Sequence, residues 1–167
     1  MSEERPPRPE RPSQAAEHFV EPPREQIPDI SRAHVAALES GAAEEFWTAA
    51  GMSHLILATL GRRSGNEHKV ALPYWCDEDG SRVVVGSFAG APQHPDWYLN
   101  LTDRERNPEV LVRVHEGAYW AEPEVLAGAE YERVWAALTT DRPFYVGYTR
   151  RTSRRIPLVR LRQLRPA

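Results

Sequence analysis

Three short segments carry residue types whose spacing suits chemistry. The first is Gly61-Arg62-Arg63-Ser64-Gly65. Glycines on both sides let the backbone turn tightly and expose its N–H groups. Two guanidinium groups and a hydroxyl then converge on one small volume. The planar guanidinium fork binds two oxygens of one phosphate at once. His68 and Lys69 extend the positive charge. A solvent-exposed basic hairpin turn has the same composition, so this segment does not decide the matter alone.

The second segment runs from Gly90 to Leu101, Gly-Ala-Pro-Gln-His-Pro-Asp-Trp-Tyr-Leu-Asn-Leu. Pro95 suits the first residue of a helix. The free N–H groups and partial positive charge of such a terminus favour an anion. Ser87 and Ala89, just upstream, leave room for a flat ring at a strand end. Trp97 and Leu101 read as a buried helix face, Asn100 as a group satisfying the backbone, and His94 as a cap or surface residue. The third segment runs from Phe144 to Pro157. Tyr145 and Tyr148, three apart near Gly147, can face one cavity. A phenol there donates a hydrogen bond to a carbonyl or nitro oxygen. Alternatively, these aromatics only seal the mouth of a barrel.

The elements that position these segments are short and mostly β. Runs at His54 to Leu60, Lys69 to Cys76, Arg82 to Phe88, Val110 to His115, Tyr119 to Leu126 and Pro157 to Leu164 read as strands. Asp79-Gly80 and Glu116-Gly117 are hairpin turns between neighbours. A helix begins near Asp29, with Ile30, Val35 and Leu38 apolar, Ser31 as cap and Gly41 as stop. A second short helix is predicted from about Ala42 to Ala50, burying Phe46 and Trp47. A helix of about seven residues follows Pro95. A longer one follows Gly128, with Tyr131, Val134, Trp135 and Leu138 on one face. Residues 1–28 hold seven of the fifteen prolines and read as a disordered or draped tail, whose stub His18 to Val20 can pack on the body. Residues 29–167 form one domain. The fold class is mainly β (α+β): a six-stranded antiparallel barrel flanked by short helices. No G-x-G-x-x-G and no strand–helix alternation support a dinucleotide fold.

Bulk properties narrow the class. The chain has 167 residues, 41% hydrophobic and 27% charged, with net charge −3. Eight arginines and no acids lie between Arg142 and Ala167, so the rest of the chain sums to −11 (−3 minus +8). A basic C-terminal part on an acidic body is either an anion site or a solvated face. The single cysteine, Cys76, permits no disulfide within the chain and reads as a buried thiol, in keeping with a reducing cytoplasm. No run approaches the roughly 20 apolar residues of a membrane span, and the N-terminus lacks the apolar core of a secretory signal. The six histidines have no metal-ligand spacing, so no metal is expected.

In order, the segments read G-R-R-S-G, a strand hairpin, S-x-x-G-A-P-x-H-P-x-W-Y-L-N-L, N-P-E-V and Y-x-x-Y-x-x-x-T-x-R-x-I-P. Together they resemble the deazaflavin-dependent nitroreductase family, small F420-dependent oxidoreductases of actinobacteria, over about Gly51 to Leu164. The resemblance implies a split β-barrel that binds the deazaflavin coenzyme F420. Arg62, Arg63 and Ser64 would hold its phosphate and acidic tail, with Lys69 as a further basic position. Val70, Ala71, Leu72, Pro73 and Tyr74 would line the ring pocket. Val85, Gly86, Ser87 and Phe88 would lie along the ring, with Ser87 near its reactive edge. Asp96, Trp97, Tyr98, Leu99 and Asn100 would cover the other side. Tyr145 and Tyr148 would close on cofactor or substrate and neutralise a developing oxyanion. Two departures stand out. Phe88 occupies a position where relatives often carry Lys or Gly. The stretch from His68 to Tyr74 has one residue more than in some relatives, which shifts the register of Lys69 to Tyr74 by one and lets Trp75 compete with Tyr74 for the pocket.

The implied reaction is hydride transfer from reduced F420 to a small electron-poor acceptor: a quinone, an enone or a nitro compound. Two readings compete with it. The same barrel could bind flavin mononucleotide (FMN), or it could carry the deazaflavin without catalysis. Binding of nucleic acid through the arginine-rich C-terminal part has no motif behind it and is not expected. The sequence leaves a homodimer possible.

Overall fold

The computed structural model describes residues 14–16, 19–41 and 44–167. Their strands are β1 (His54–Leu60), β2 (Glu67–Pro73), β3 (Trp75–Cys76), β4 (Arg82–Val85), β5 (Val110–Val114), β6 (Gly117–Val125) and β7 (Leu158–Pro166). All join one antiparallel sheet in the order β2-β1-β5-β6-β7-β4-β3. The predicted run from Lys69 to Cys76 is in fact two strands, which makes seven rather than six. It breaks at Tyr74, whose N–H donates to the Ser53 carbonyl at 2.9 Å. β2 and β3 therefore lie on opposite edges of the sheet with a single residue between them. Only a sheet rolled until its edges meet can satisfy that connection.

Alternation sorts the side chains. Leu55, Leu57, Val110, Val112, Val159 and Leu161 fill the interior of the roll with Tyr119 and Ala121. Val83, Val85 and Leu158 face outward and pack on Tyr131, Val134 and Leu138 of α3 (Gly128–Asp141). β1 is buried on both faces because Ile56 packs under Val35 and Leu38 of α1 (Ile27–Ser40) and under Trp47. This explains its apolar run from Leu55 to Ala58.

Some expected details differ. α1 begins at Ile27, so Ser31 lies inside the helix and does not cap it. Its Oγ instead accepts the Ala71 N–H at 3.0 Å and ties α1 to edge strand β2. Gly41 does end the helix, at φ +66°. Ile30 is 45% exposed and Phe46 39% exposed, so neither is core. Residues 42 and 43 of the second predicted helix lie outside the described residues, and Glu44–Gly51 is a kinked 3-10 segment. α2 (Asp96–Thr102) follows Pro95, which is the cap rather than the first turn. A fourth helix, α4 (Phe144–Thr149), was not expected from the sequence.

Most of the C-terminal arginines are spent on the body. Arg162 and Arg160 stand opposite Glu122 and Glu124 on β6 and pair with them at 2.9 and 3.4 Å. Arg165 pairs with Glu109 at 2.7 Å, and Arg155 with Glu132 at 3.3 Å. The basic stretch is a paired face rather than an anion site.

The proline-rich segment is docked where it is described. The Gln14 amide donates to the Cys76 carbonyl at 3.0 Å and accepts from its N–H at 2.6 Å. Phe19 stacks on Phe144 at 4.5 Å. His18 of the predicted stub lies outside the described residues. Among the described residues, no helix is long and apolar enough to cross a membrane.

Candidate functional site

A cavity of about 780 Å³ opens between α1, the β1–β2 pair, the segment after β4 and α4. Three of its regions differ in chemistry.

One end is basic. The turn after β1 closes through Gly61 N–H to Asn66 O and Gly65 N–H to Gly61 O, both 2.8 Å. Ser64 Oγ accepts the Asn66 N–H at 3.1 Å. A Cβ on Gly61 would come within 2.7 Å of Ser64 Oγ and 2.8 Å of His68 Nε2, so a side chain there would displace both from the turn. Arg62 is held by α2. Its Nη1 and backbone N–H both donate to Asn100 Oδ1, at 2.8 and 3.2 Å, and its Nη2 meets Asp96 at 3.2 Å. Asn100 thus satisfies a backbone group, as expected, and also aims a guanidinium. Beneath it, the buried Asn107 amide donates to Leu60 O at 2.9 Å and Asn100 O at 2.8 Å, and its oxygen accepts the Leu60 N–H at 2.7 Å. Among the described residues nothing pairs with the exposed Arg63. Lys69 lines the same end but pairs with Glu39 at 3.1 Å and Glu67 at 3.8 Å. The start of α2 presents the Asp96 carboxylate beside Arg62, not bare amides alone.

The middle is mostly apolar. Val70, Ala71, Leu72 and Pro73 of β2 form one wall, and Val85, Ser87, Phe88 and Trp97 add to the lining. Phe88 and Ala89 adopt φ +44° and +51°, left-handed values without glycine. Each costs roughly 1–2 kcal/mol, so the surroundings must hold the turn in place. Arg154 does so by donating to Ser87 O (2.8 Å), Ala91 O (2.8 Å) and Gly86 O (3.1 Å). Arg24 and Arg151 both reach Ala89 O at 3.3 Å. Arg154 also meets His94 Nδ1 at 3.2 Å. His94 therefore lines the cavity and packs at a tilt against Tyr98, ring centres 4.8 Å apart, and is not a simple cap.

The far end is aromatic. α4 brings Tyr145 and Tyr148 into the cavity with ring centres 5.9 Å apart at 77°. Burial raises both phenols above the ordinary range. The Arg142 guanidinium partly opposes the rise at Tyr145, and Glu21 adds to it at Tyr148. Both remain protonated donors at neutral pH. Buried Arg142 donates to Gln14 O at 2.7 Å and Tyr74 O at 2.9 Å, joining this end to the seam of the sheet.

Four expected positions do not line the cavity. Tyr74 turns into the interior cluster under Arg82, 5.2 Å from its ring. Gly86 lies against Pro157, whose Cγ would be 2.6 Å from any Cβ. Tyr98 and Leu99 sit on the other faces of α2. Trp75 does not take the place of Tyr74, because its indole N–H donates to Asp141 at 2.7 Å. Sequence reasoning missed Phe19, Pro22, Ile27, Ser31 and His54, all of which line the cavity. The only signal for Phe19 was an aromatic ring inside a proline-rich stretch.

The arrangement suits an elongated, flat, anionic molecule: charge at one end, ring in the middle, and two phenol donors at the other. A family model described as F420H(2)-dependent quinone reductase matches residues 30–163. An F420H(2)-dependent quinone reductase of Mycobacterium tuberculosis is 33% identical over 108 residues, 63% of this chain and 70% of that protein. Among solved structures, an F420-H2 dependent reductase (FDR-A) is 30% identical with a TM-score of 0.55, covering 65% of this chain and 92% of that one. Another, described as a domain-swapped dimer, is 27% identical with a TM-score of 0.56, covering 78% and 99%.

Proposed function

We propose, for a chain that belongs to the F420H(2)-dependent quinone reductase family, that the cavity along β2 holds coenzyme F420 and presents it to a quinone. Reduced F420 supplies a hydride when bound. The residues present fit that group. A basic turn whose Arg63 has no partner among the described residues stands at one end of the cavity, and the wall from Val70 to Pro73 is free of charge.

Arg62 and Arg63 bind the phosphate and acidic tail, with Ser64 and Lys69 at their side. Asn100 and Asp96 pre-orient Arg62, so less freedom is lost on binding. Val70 to Pro73, with Val85, Ser87 and Phe88, confine the ring and exclude water. Tyr145 and Tyr148 donate hydrogen bonds to the acceptor oxygen as negative charge develops on it. Their raised pKa values make them donors to that oxygen rather than sources of a freely released proton. Enones and nitro compounds offer the same kind of oxygen and are proposed as further acceptors. The domain that acts is residues 29–167, with Phe19, Pro22 and Ile27 of the preceding segment completing the cavity wall. We place it in the cytoplasm and take a homodimer as its assembly.

The observation that carries this reading is one cavity with an arginine turn at one end and two buried phenols at the other. Fluorescence titration with F420, with FMN in parallel, tests it. Micromolar or tighter binding of F420 alone is expected. Arg62→Ala with Arg63→Ala is expected to weaken it at least tenfold without unfolding, since each charge-assisted bond contributes roughly 1.5–3 kcal/mol. An unchanged dissociation constant would overturn the phosphate assignment, and preference for FMN would replace the cofactor.

A further inference from the structure

His54 opens β1 and is 8% exposed. In the pairing with β2 it stands directly opposite Pro73, as Ile56 stands opposite Ala71 and Ala58 opposite Lys69. Opposed residues project to the same side of a sheet. The imidazole therefore shares a face with Pro73, Ala71 and Lys69, all of which line the cavity, as His54 does itself. It lies at the Pro73 end, four residues and roughly 13 Å along the strand from Lys69.

The hydrogen bonds of the ring fix its chemistry. Nδ1 lies 2.7 Å from the Met52 carbonyl oxygen. A carbonyl only accepts, so Nδ1 carries the hydrogen and the neutral ring keeps a lone pair on Nε2. Among the described residues, nothing bonds to that atom. His54 lines the cavity, and with Nδ1 turned to Met52, Nε2 is the ring nitrogen left to face it; the sealed side-chain atoms without a partner among the described residues are Arg82 Nε and Arg160 Nε. The His34 ring of α1 packs against it at a tilt, 4.7 Å away.

We propose that His54 is a fixed hydrogen-bond acceptor, taking an N–H or O–H of a flat ring bound on this face into Nε2. The proposal rests on the F420 reading. Two groups in that reaction offer such a donor: the pyrimidinedione N–H of the coenzyme and the hydroxyl of the hydroquinone product. The quinone itself offers none. Burial, then the charges of His34 on α1 and of Arg142, hold the ring down to about 4, against the Met52 bond, which raises it; Pro73 on β2 adds no charge. The acceptor therefore stays neutral across the working range.

The test uses the full chain with His54→Leu, which removes the acceptor, and His54→Gln, whose amide oxygen reaches the place of Nε2. Loss of one buried hydrogen bond should weaken binding about five- to tenfold. In His54→Leu a raised F420 dissociation constant identifies the coenzyme as donor. A raised inhibition constant for the hydroquinone, measured anaerobically, identifies the product. His54→Gln should restore either to within about twofold of wild type. Nitrogen-15 NMR of the unsubstituted protein should give an Nδ1–H tautomer with no titration near 6.5, and an Nε2 shift when the donor binds. An Nε2–H tautomer overturns the proposal whatever the variants do. So do unchanged constants in a wild type and a His54→Leu variant that both bind F420. Failure of the wild type to bind F420 overturns the coenzyme reading and this proposal together, which separates the two kinds of failure.

Discussion

Arg154→Lys is the most informative single change outside the binding residues. The Arg154 guanidinium collects the carbonyls of Gly86, Ser87 and Ala91. A lysine keeps the charge but offers a compact ammonium that cannot span three carbonyls set around a turn. Two of the bonds are lost. At about 1–1.5 kcal/mol each, below the roughly 1.5–3 kcal/mol of a charge-assisted bond because the group is only half-buried, the loss is about 2–3 kcal/mol. The turn it grips stores a comparable amount, since Phe88 and Ala89 both have positive φ and each costs about 1–2 kcal/mol. Halving the grip should therefore let the turn relax as well as lower stability. Urea unfolding at neutral pH should report the 2–3 kcal/mol, a large share of a typical ~5–15 kcal/mol total. The F420 dissociation constant should rise in parallel, because Ser87 and Phe88 lie on the cavity wall. A variant within about 0.5 kcal/mol of wild type and with unchanged binding would refute the idea that Arg154 holds this turn.

Three further outcomes are expected. Asn107→Ala removes three hydrogen bonds at a site 1% exposed and should cost about 3 kcal/mol in urea unfolding, with weaker F420 binding as Asn100 and Arg62 lose their support. Stability should decline as pH falls from 6.5 towards 4, because the unfolded chain protonates His54 first while the folded value is lowered to about 4. The loss approaches about 3 kcal/mol, and His54→Gln should flatten that part of the profile. Tyr145→Phe and Tyr148→Phe should each lower kcat for a quinone roughly 10-fold or more with little change in F420 binding; unchanged turnover in both would remove the phenols from the reaction.

The strands were legible because alternation and turn residues are local signals. β1 was read to the residue, and Gly41, Asp79-Gly80 and Gly128 punctuated the chain where expected. The break at Tyr74 was not legible, because what ends β2 is a hydrogen bond to Ser53, twenty-one positions away. α4 was missed for a different reason. Phe-Tyr-Val-Gly-Tyr-Thr is poor in helix formers, and its helix rests on burial of Tyr145 and Tyr148. At the site, the residues of the Arg62 turn and of the Tyr145–Tyr148 pair could be named from the chain alone. Their supports could not. Asn107 and Arg154 act on partners 47 and 63–68 residues distant, and His54 matters only because β2 folds back beside it. The C-terminal arginines were visible as charge, but their carboxylate partners lie on other strands.

Tyr74 also determines where this protein can grow. A single residue carries the chain from one edge of the rolled sheet to the other, so the length of that link gauges the circumference. An added residue there would loosen the seam and, through the Arg142 bond to the Tyr74 carbonyl, disturb the aromatic end of the cavity. The Asp79-Gly80 tip, with open space around Gly80, bears no such duty. Lengthening by descent or by design belongs at that tip, and the seam should keep its length among working relatives.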